Sequence, residues 1–474
     1  MADQAVDLSS DPARPWSAVS ALLLGAFVSL LDVTVVNLAI PEIARDLKTT
    51  GTQAQWVLLA YVLPLAALLL PMGRFGDALG RRRLFLTGIV VFTLGACFAG
   101  FAQSISTLII ARTIQGIGAA TMMPQVLALI QVILPSDQRR RAMGYFAMVS
   151  ALGAIAGPII GGVVLEVNFY DLGWRIVFLM VLPPCAVSVL IAAWCLDKDV
   201  SLSRRSIDLW HGLMIAMAIA FLVFAATQGR VLGWPFWLMA LFTTSLLLLR
   251  HVFRAQLKGR PQTLEPLLPQ DLLHSREFVR GTSIILILFC GIAGIPFLLA
   301  LALQAGPQMS PGTVALTVVV HPVLATLGAF LAGRVAPGNH WVLPMLGSMT
   351  TFGGTALLAL IFWWLGNEVS ATHLLVPLAM VGFGMGLSNV ALMSFTLAAA
   401  PKECSGAASG VLQTAQQIGI ALSIAIVGGL YFGHTHGDSM QAATVALLFS
   451  AGVFAVVCIL CIAAVQSHRR GIPS

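Results

Sequence analysis

The sequence predicts an all-α polytopic membrane protein of fourteen transmembrane helices, arranged as two six-helix bundles plus two inserted helices. Three observations carry this. Hydrophobic residues fill 58% of the 474 positions, and charged residues only 9%, where a soluble domain carries about 25%. Mean hydropathy is +0.92. About 20 apolar residues suffice for each bilayer crossing, so fourteen crossings leave only short tails and loops. An ordinary soluble protein is excluded, and no sizeable soluble domain fits. The polar start from Met1 to Arg14 lacks the short apolar core and small-residue cleavage site of a secretory signal.

Apolar runs between charged or Gly/Pro-rich breaks place the first six spans near 17–40, 55–72, 84–102, 107–130, 142–165 and 176–196. The remaining eight lie near 211–227, 235–252, 279–303, 311–332, 342–365, 373–396, 405–431 and 441–465. Tryptophan prefers the headgroup zone, where the ring is half buried and its N–H is wet. Trp16, Trp56, Trp174, Trp210, Trp234, Trp237 and Trp341 fall at or just before span starts, and Trp194, Trp363 and Trp364 near span ends.

Cytoplasmic loops retain Lys and Arg. With both termini inside, the inner segments hold nearly all the cations, including Arg81 to Arg83, Arg139 to Arg141, Arg204, Arg205 and Arg250, while the outer ones hold Arg45, Lys48, Arg175 and Arg230. This topology, with anionic inner-leaflet lipid, accounts for the net charge of +7. Nucleic acid is not needed as a partner. The longest inner loops, Asp197 to Leu209 and Phe253 to Phe278, bracket spans seven and eight. The expected division is an N-terminal bundle in 1–200, the inserted pair in 201–260 and a C-terminal bundle in 261–474. Many transporters repeat bundles in this way and place the substrate site at their interface.

Enzyme chemistry lacks its common anchors. No Gly-Lys-Ser/Thr loop, His-Glu zinc helix or Gly-x-Ser-x-Gly elbow occurs. No cofactor or metal is expected, and the seven cysteines, mostly inside spans, are read as small apolar residues without disulfides. The Cys458-x-x-Cys461 pair is assigned to a lipid-facing helix.

The polar residues within spans are the functional candidates. Asp32 lies deep in the first span, where an ionised carboxylate is costly unless protonated, paired or wetted. Its competing reading is a structural hydrogen bond to a neighbouring helix, and the same choice stands for Thr34 and Asn37. Arg112, with Gln115 one turn on, is the one cation clearly inside a span. It cannot lose its proton and needs a carboxylate, carbonyl groups or water. A nearby Arg112 would lower the proton affinity of Asp32, which provides a route to exchange; the alternative is a cross-link between helix ends. Glu166 sits at the outer end of span five, as a mouth residue or a proton or cation attractor. His321 precedes Pro322, as a core histidine or a titrating group. Asn389, Gln413 and Gln417, with Gln416 alongside, line a cavity or bridge helices.

Two segments read as gates. Gly153, Gly157 and Gly161 form one stripe of span five beside Pro158, allowing close approach of another backbone and removing a hydrogen bond. After span two, the loop Gly73 to Arg83 sets Gly73, Asp77, Gly80 and Arg81 in a charged cluster where Asp77 can cap a helix or pair with an arginine.

These elements together resemble the major facilitator superfamily, in particular its fourteen-span drug:proton antiporter branch of quaternary-ammonium and uncoupler-resistance exporters. The resemblance rests on Leu31 to Pro41, Gly73 to Arg83, Arg112 to Gly118 and Gly153 to Gly162, in order, extended by Trp174-Arg175 with Phe178 and Pro183, and by Gly406 to Gly419. It implies a substrate- or proton-linked Asp32, a proton-coupling Arg112, an inner latch of Asp77 and Arg81 and a hinge at Gly157-Pro158. Three features depart from the branch. The second-bundle loop Gly333 to His340 has no acidic residue, Val181 replaces an Asn, and the second bundle has no extra carboxylate. The last favours singly charged or neutral lipophiles over dications. The function expected is proton-coupled efflux of lipophilic compounds by a monomer in the bacterial plasma membrane. The alternative is a dedicated exporter of one endogenous metabolite or antibiotic.

Overall fold

Apolar helices dominate because a chain in hydrocarbon must satisfy its backbone hydrogen bonds internally. The computed structural model describes residues 13–167, 172–197, 206–207, 209–257, 264–265, 270–334, 341–401, 405–434 and 439–469. The first half comprises α1 (Ala13–Asp46), α2 (Gly51–Leu79), α3 (Arg81–Gly100), α4 (Ile105–Ile133), α5 (Ser136–Val167), α6 (Ile176–Leu179) and α7 (Leu182–Cys195). Next come α8 (Leu209–Val231) and α9 (Phe236–Leu257), then α10 (Gln270–His274), α11 (Arg276–Ile292), α12 (Gly294–Ala305), α13 (Pro311–Val318) and α14 (Val320–Arg334). The last four are α15 (Val342–Leu365), α16 (Ala371–Ala398), α17 (Ser405–His434) and α18 (Ser439–Arg469).

Thirteen segments among the described residues are long and apolar enough to cross a bilayer. The eighth expected span is the shorter apolar stretch Phe236–Val252 inside α9, because Arg250 and Arg254 make the end of that helix polar. Helices overrun their expected ends where polar caps hold them. Thr50 and Gln53 form a capping box that starts α2, and Ser104 caps α4. The expected loop Gly73 to Arg83 is thereby corrected: α2 runs through Leu79, and the chain breaks only at Gly80, whose φ is 105°.

Three spans are interrupted, each four residues before a proline. Pro183 and Pro184 leave the carbonyls of Leu179 and Met180 without donors, Pro296 does so for Ile292, and Pro322 for Val318, which are the points where α6, α11 and α13 end. Pro64, Pro71, Pro124, Pro158 and Pro377 stay within continuous helices.

In the first half α3 and α2 pack on α4, and α1 packs on α5 and α7. In the second, α14 and α15 pack on α16, α15 on α18 and α11 on α17. The pair α8–α9 leans on the seam between halves through α8, which touches α2 and α17, with the Phe224 ring tilted between Trp56 at 5.7 Å and Trp237 at 6.5 Å. One feature is not helical: Ser206–Ile207 and Leu264–Glu265 form a two-residue parallel ladder between the long loops.

Two expectations about side chains change. Trp174 is fully buried in the protein instead of half-buried. Its ring N–H donates to Asp46 at 2.9 Å and its backbone N–H to Glu42 at 3.1 Å, while Arg175 pairs with Asp46 at 2.8 Å. Cys458 and Cys461 face protein, not lipid: both are buried, and the Cys458 thiol donates to Ser348 at 3.3 Å. The second loop from Gly333 to His340 lies outside the described residues beyond Arg334.

The helix pair α3 with α4 meets through reciprocal glycines. A Cβ at Gly88 would lie 2.6 Å from the Met122 nitrogen, and one at Gly118 would lie 2.8 Å from the Gly88 carbonyl. Gly118→Val is expected to cost about 1–3 kcal/mol through overpacking, read as a lower melting temperature of the purified protein, whereas Gly452→Ala, with nothing within 4 Å, is expected to leave it unchanged.

Candidate functional site

Ser29 and Asp32 are three residues apart and so share a face of α1, directed at α2 and α4. Ser29 Oγ lies 2.8 Å from the Tyr61 hydroxyl. Asp32 Oδ2 accepts from Arg112 Nη1 at 2.6 Å, and Oδ1 accepts from Gln115 Nε2 at 2.9 Å. The same Nη1 donates to Gln115 Oε1 at 2.7 Å, and Arg112 Nε donates to the Val57 carbonyl at 3.0 Å. The guanidinium carbon sits 4.4 Å from the centre of the Tyr61 ring and 5.6 Å from that of Phe178. Relative exposures of Asp32, Arg112 and Gln115 are 0%, 1% and 0%. The cluster is neutral overall and closed to solvent. Breaking one partner out of such a pair leaves an uncompensated buried charge, so the two residues are held as a unit.

Thr34, on the opposite side of α1, meets the glycine stripe. Its hydroxyl lies within donor range of the Leu30, Leu31 and Gly153 carbonyls at 3.1, 2.9 and 3.3 Å. Any Cβ at Gly157 would collide with Thr34, and one at Gly161 would lie 3.2 Å from Val35. The partner backbone expected for Gly153, Gly157 and Gly161 is therefore α1, and Pro158 stays inside α5. At the other end of α2, Asp77 pairs with Arg81 at 2.7 Å across the Gly80 turn, and Arg81 also donates to the Ala128 carbonyl of α4 at 3.2 Å. Gly73 lies 3.7 Å, by its would-be Cβ, from Pro124.

The remaining candidates stand apart from the Asp32 cluster. Glu166 is exposed, yet its carboxylate is engaged: Oε1 accepts from Ser310 Oγ at 2.6 Å and from the Gly312 N–H at 3.2 Å. It caps α13 from the other half of the molecule, where negative charge suits a helix N-terminus. His321 is on α14, its Nε2 buried without a hydrogen bond. Gln416 donates to Asn389 at 3.3 Å, bridging α16 and α17. Asn37, Gln413 and Gln417 are half-buried and make no side-chain hydrogen bond among the described residues.

Gln55 belongs to no motif, yet it is fully buried and donates from α2 to the Ile424 and Ala425 carbonyls of α17 at 2.5 and 3.3 Å. The signal available was an amide inside an apolar run. Gln304 of α12 reaches the Leu38 carbonyl at 3.4 Å. With Glu166, these contacts join the halves toward the arginine-poor end of the molecule.

The sequence model of the Major Facilitator Superfamily matches residues 22–424. Among curated proteins, the chain is 33% identical to puromycin resistance protein pur8 of Streptomyces alboniger, covering 97% of this chain and 93% of that one. It is 32% identical to a probable actinorhodin transporter of Streptomyces coelicolor, over 89% and 73% of the two chains. It is 31% identical to the methyl viologen resistance protein SmvA of Salmonella typhimurium, over 88% and 82%. Among solved structures it matches the POT family transporter PepTSo, with a TM-score of 0.70 and 12% identity over 96% and 98% of the chains. A bacterial homologue of the human lysosomal transporter Spinster gives 0.67 and 16% over 98% and 100%. Transport, not enzyme catalysis, is the activity of this group.

The buried pair generates a double-mutant cycle. Arg112→Met, which strands Asp32, is expected to destabilise by about 3–5 kcal/mol. Asp32→Asn combined with Arg112→Met is expected to recover part of that loss, seen in thermal unfolding as a double variant less destabilised than the sum of the single ones.

Proposed function

The chain belongs to the Major Facilitator Superfamily, and within it we propose a proton-coupled exporter of lipophilic small molecules, cationic or neutral, working as a monomer in the bacterial plasma membrane. Both termini then lie in the cytoplasm, with the arginine-rich end inward, and the chain divides into bundles at 1–200 and 261–474 joined by the inserted pair in 201–260. The observation that carries the proposal is the buried Asp32–Arg112–Gln115 cluster.

Asp32 is the proton carrier in this reading. As a carboxylate it neutralises Arg112. Once protonated it becomes neutral and can no longer do so, and the guanidinium then requires carbonyl groups or water. Loading and releasing a proton therefore changes which arrangement of α1, α2 and α4 is favoured. A transporter needs such a two-state element whose equilibrium both ligands bias. The α1–α5 contact at Gly157 and Pro158 is the proposed hinge, and Asp77–Arg81 the proposed inner latch. The junctions through Gln55, Gln304 and Glu166 close the arginine-poor end, which supports reading this state as open to the cytoplasm. A dedicated exporter of one endogenous antibiotic is the second reading, favoured by a relative named for actinorhodin alone.

In proteoliposomes with an imposed pH gradient, Asp32→Asn is expected to reduce gradient-driven transport to the level of empty vesicles. Retention of full transport would sink the assignment. A Ser201→Cys variant in intact cells is expected to resist impermeant thiol reagents; labelling from outside would reverse the orientation. Glu166→Gln combined with Gln55→Leu is expected to raise labelling of Thr313→Cys from outside several-fold, reported by the same reagents.

A further inference from the structure

Polar side chains left without partners inside a membrane protein are costly, and three half-buried amides of this kind lie at or beside the junction of the two halves. On α17, Gly410, Gln417 and Ile424 follow at seven-residue steps, with Gly428 one turn further, and so share one helix face. That face meets α2. A Cβ at Gly410 would lie 3.4 Å from Leu70, Gln55 donates to the Ile424 carbonyl, and a Cβ at Gly428 would lie 2.5 Å from Gln55 Nε2. Gln417 thus stands between two contacts with the first half, with Gln413 one turn away. Asn37 adjoins Leu38, whose carbonyl accepts from Gln304 of the second half. These three amides keep free donors and acceptors among the described residues.

What the junction lacks is equally specific. Asp32 is the only acidic residue deep within any span, and both its oxygens are taken by Arg112 and Gln115 inside the first bundle. The Tyr61 and Phe178 faces that could hold a cation already hold Arg112. Away from Glu166 at the closed end, a lipophilic cation entering the junction would shed water without meeting a free carboxylate or one of these rings. An uncharged lipophile with carbonyl, hydroxyl or amide groups would find partners in Asn37, Gln413 and Gln417.

We infer that the substrate is bound uncharged, by neutral amides at the junction of the halves, and that lipophilic cations are disfavoured there. The inference narrows the exporter reading and rests on it only for treating this junction as the substrate site. It separates the two cargoes: the proton on Asp32 within the first bundle, the substrate on amides between bundles.

A matched dye pair tests it. Nile red is an uncharged oxazone, and Nile blue is the cationic oxazine of the same ring system. With purified protein in nanodiscs, Nile red is expected to raise the melting temperature at lower concentration than Nile blue. Gln417→Glu, which adds a carboxylate at the junction, is expected to shift the ratio of apparent affinities toward Nile blue by about tenfold, and Gln417→Asn to leave the preference for the uncharged dye. Equal or tighter binding of Nile blue to the unaltered protein, no stabilisation by either dye, or an unchanged ratio in a folded Gln417→Glu protein overturns the inference. These readouts need no pH gradient. If Asp32→Asn retains gradient-driven transport while the dye preference holds, the coupling proposal fails alone. If the preference reverses while Asp32→Asn is inactive, the charge inference fails alone.

Discussion

A charge removed from water must be paired nearby, and the ion pair between Asp32 and Arg112 organises the first half of this molecule around that requirement. Its geometry involves four helices at once. Asp32 comes from α1, Arg112 and Gln115 from α4, the Val57 carbonyl and Tyr61 ring from α2, and the Phe178 ring from α6. They converge only because backbones approach closely. A side chain at Gly116 would collide with the Tyr61 carbonyl, and one at Gly95 would lie 2.6 Å from the Gln115 nitrogen. The small residues of α3 and α4 are thus conditions for the ion pair as well as packing devices.

The second half has no counterpart to this cluster among its described residues. Its buried polarity is neutral: Thr351 and Thr355 bond to their own helix, Ser388 to the Pro344 carbonyl, and Gln416 to Asn389. Neutral groups of this kind cost less to bury than charges and need no ion pair to offset that cost. Among the described residues, the two halves are unequal in electrostatics. Proton chemistry is confined to one half on the proposed reading.

Residues that stand out from an apolar background were legible in sequence, charged partners included; their neutral partners were not. Asp32 and Arg112 announce themselves by cost, and the structure joins them. Tyr61 and the Val57 carbonyl carry no such mark, because which helix faces which is a three-dimensional fact. Gln55 shows how the signal weakens with charge. It crosses between halves, yet a lone amide in an apolar run is cheap enough to pass as incidental. The general preference of indole predicts a half-buried, wet Trp174, whereas helix packing buries the ring and Asp46 takes its N–H. The helix interruptions had a local cause in Pro183, Pro296 and Pro322, but Pro64 and Pro158 have the same chemistry and interrupt nothing. Tertiary packing decides between those outcomes.

The strengths of the contacts also suit a machine that moves. The bonds from Gln55 and Gln304 to backbone carbonyls are neutral, each worth about 0.5–1.5 kcal/mol net. The Glu166 cap adds a charge-assisted contact of about 1.5–3 kcal/mol. Together they amount to a few kcal/mol, the scale of about 5.5 kcal/mol needed to carry a two-state equilibrium from 1:99 to 99:1. Substrate or proton binding can supply that. The Asp32–Arg112 pair is different, since separating it as charges would strand both in a dry interior. On the proposed reading, protonation removes the Asp32 share of that penalty and leaves Arg112 to the Val57 carbonyl and to water. On that reading, weak contacts at the closing end and a strong pair in the core divide the work: the former set how readily the halves part, and the latter makes the change conditional on a proton.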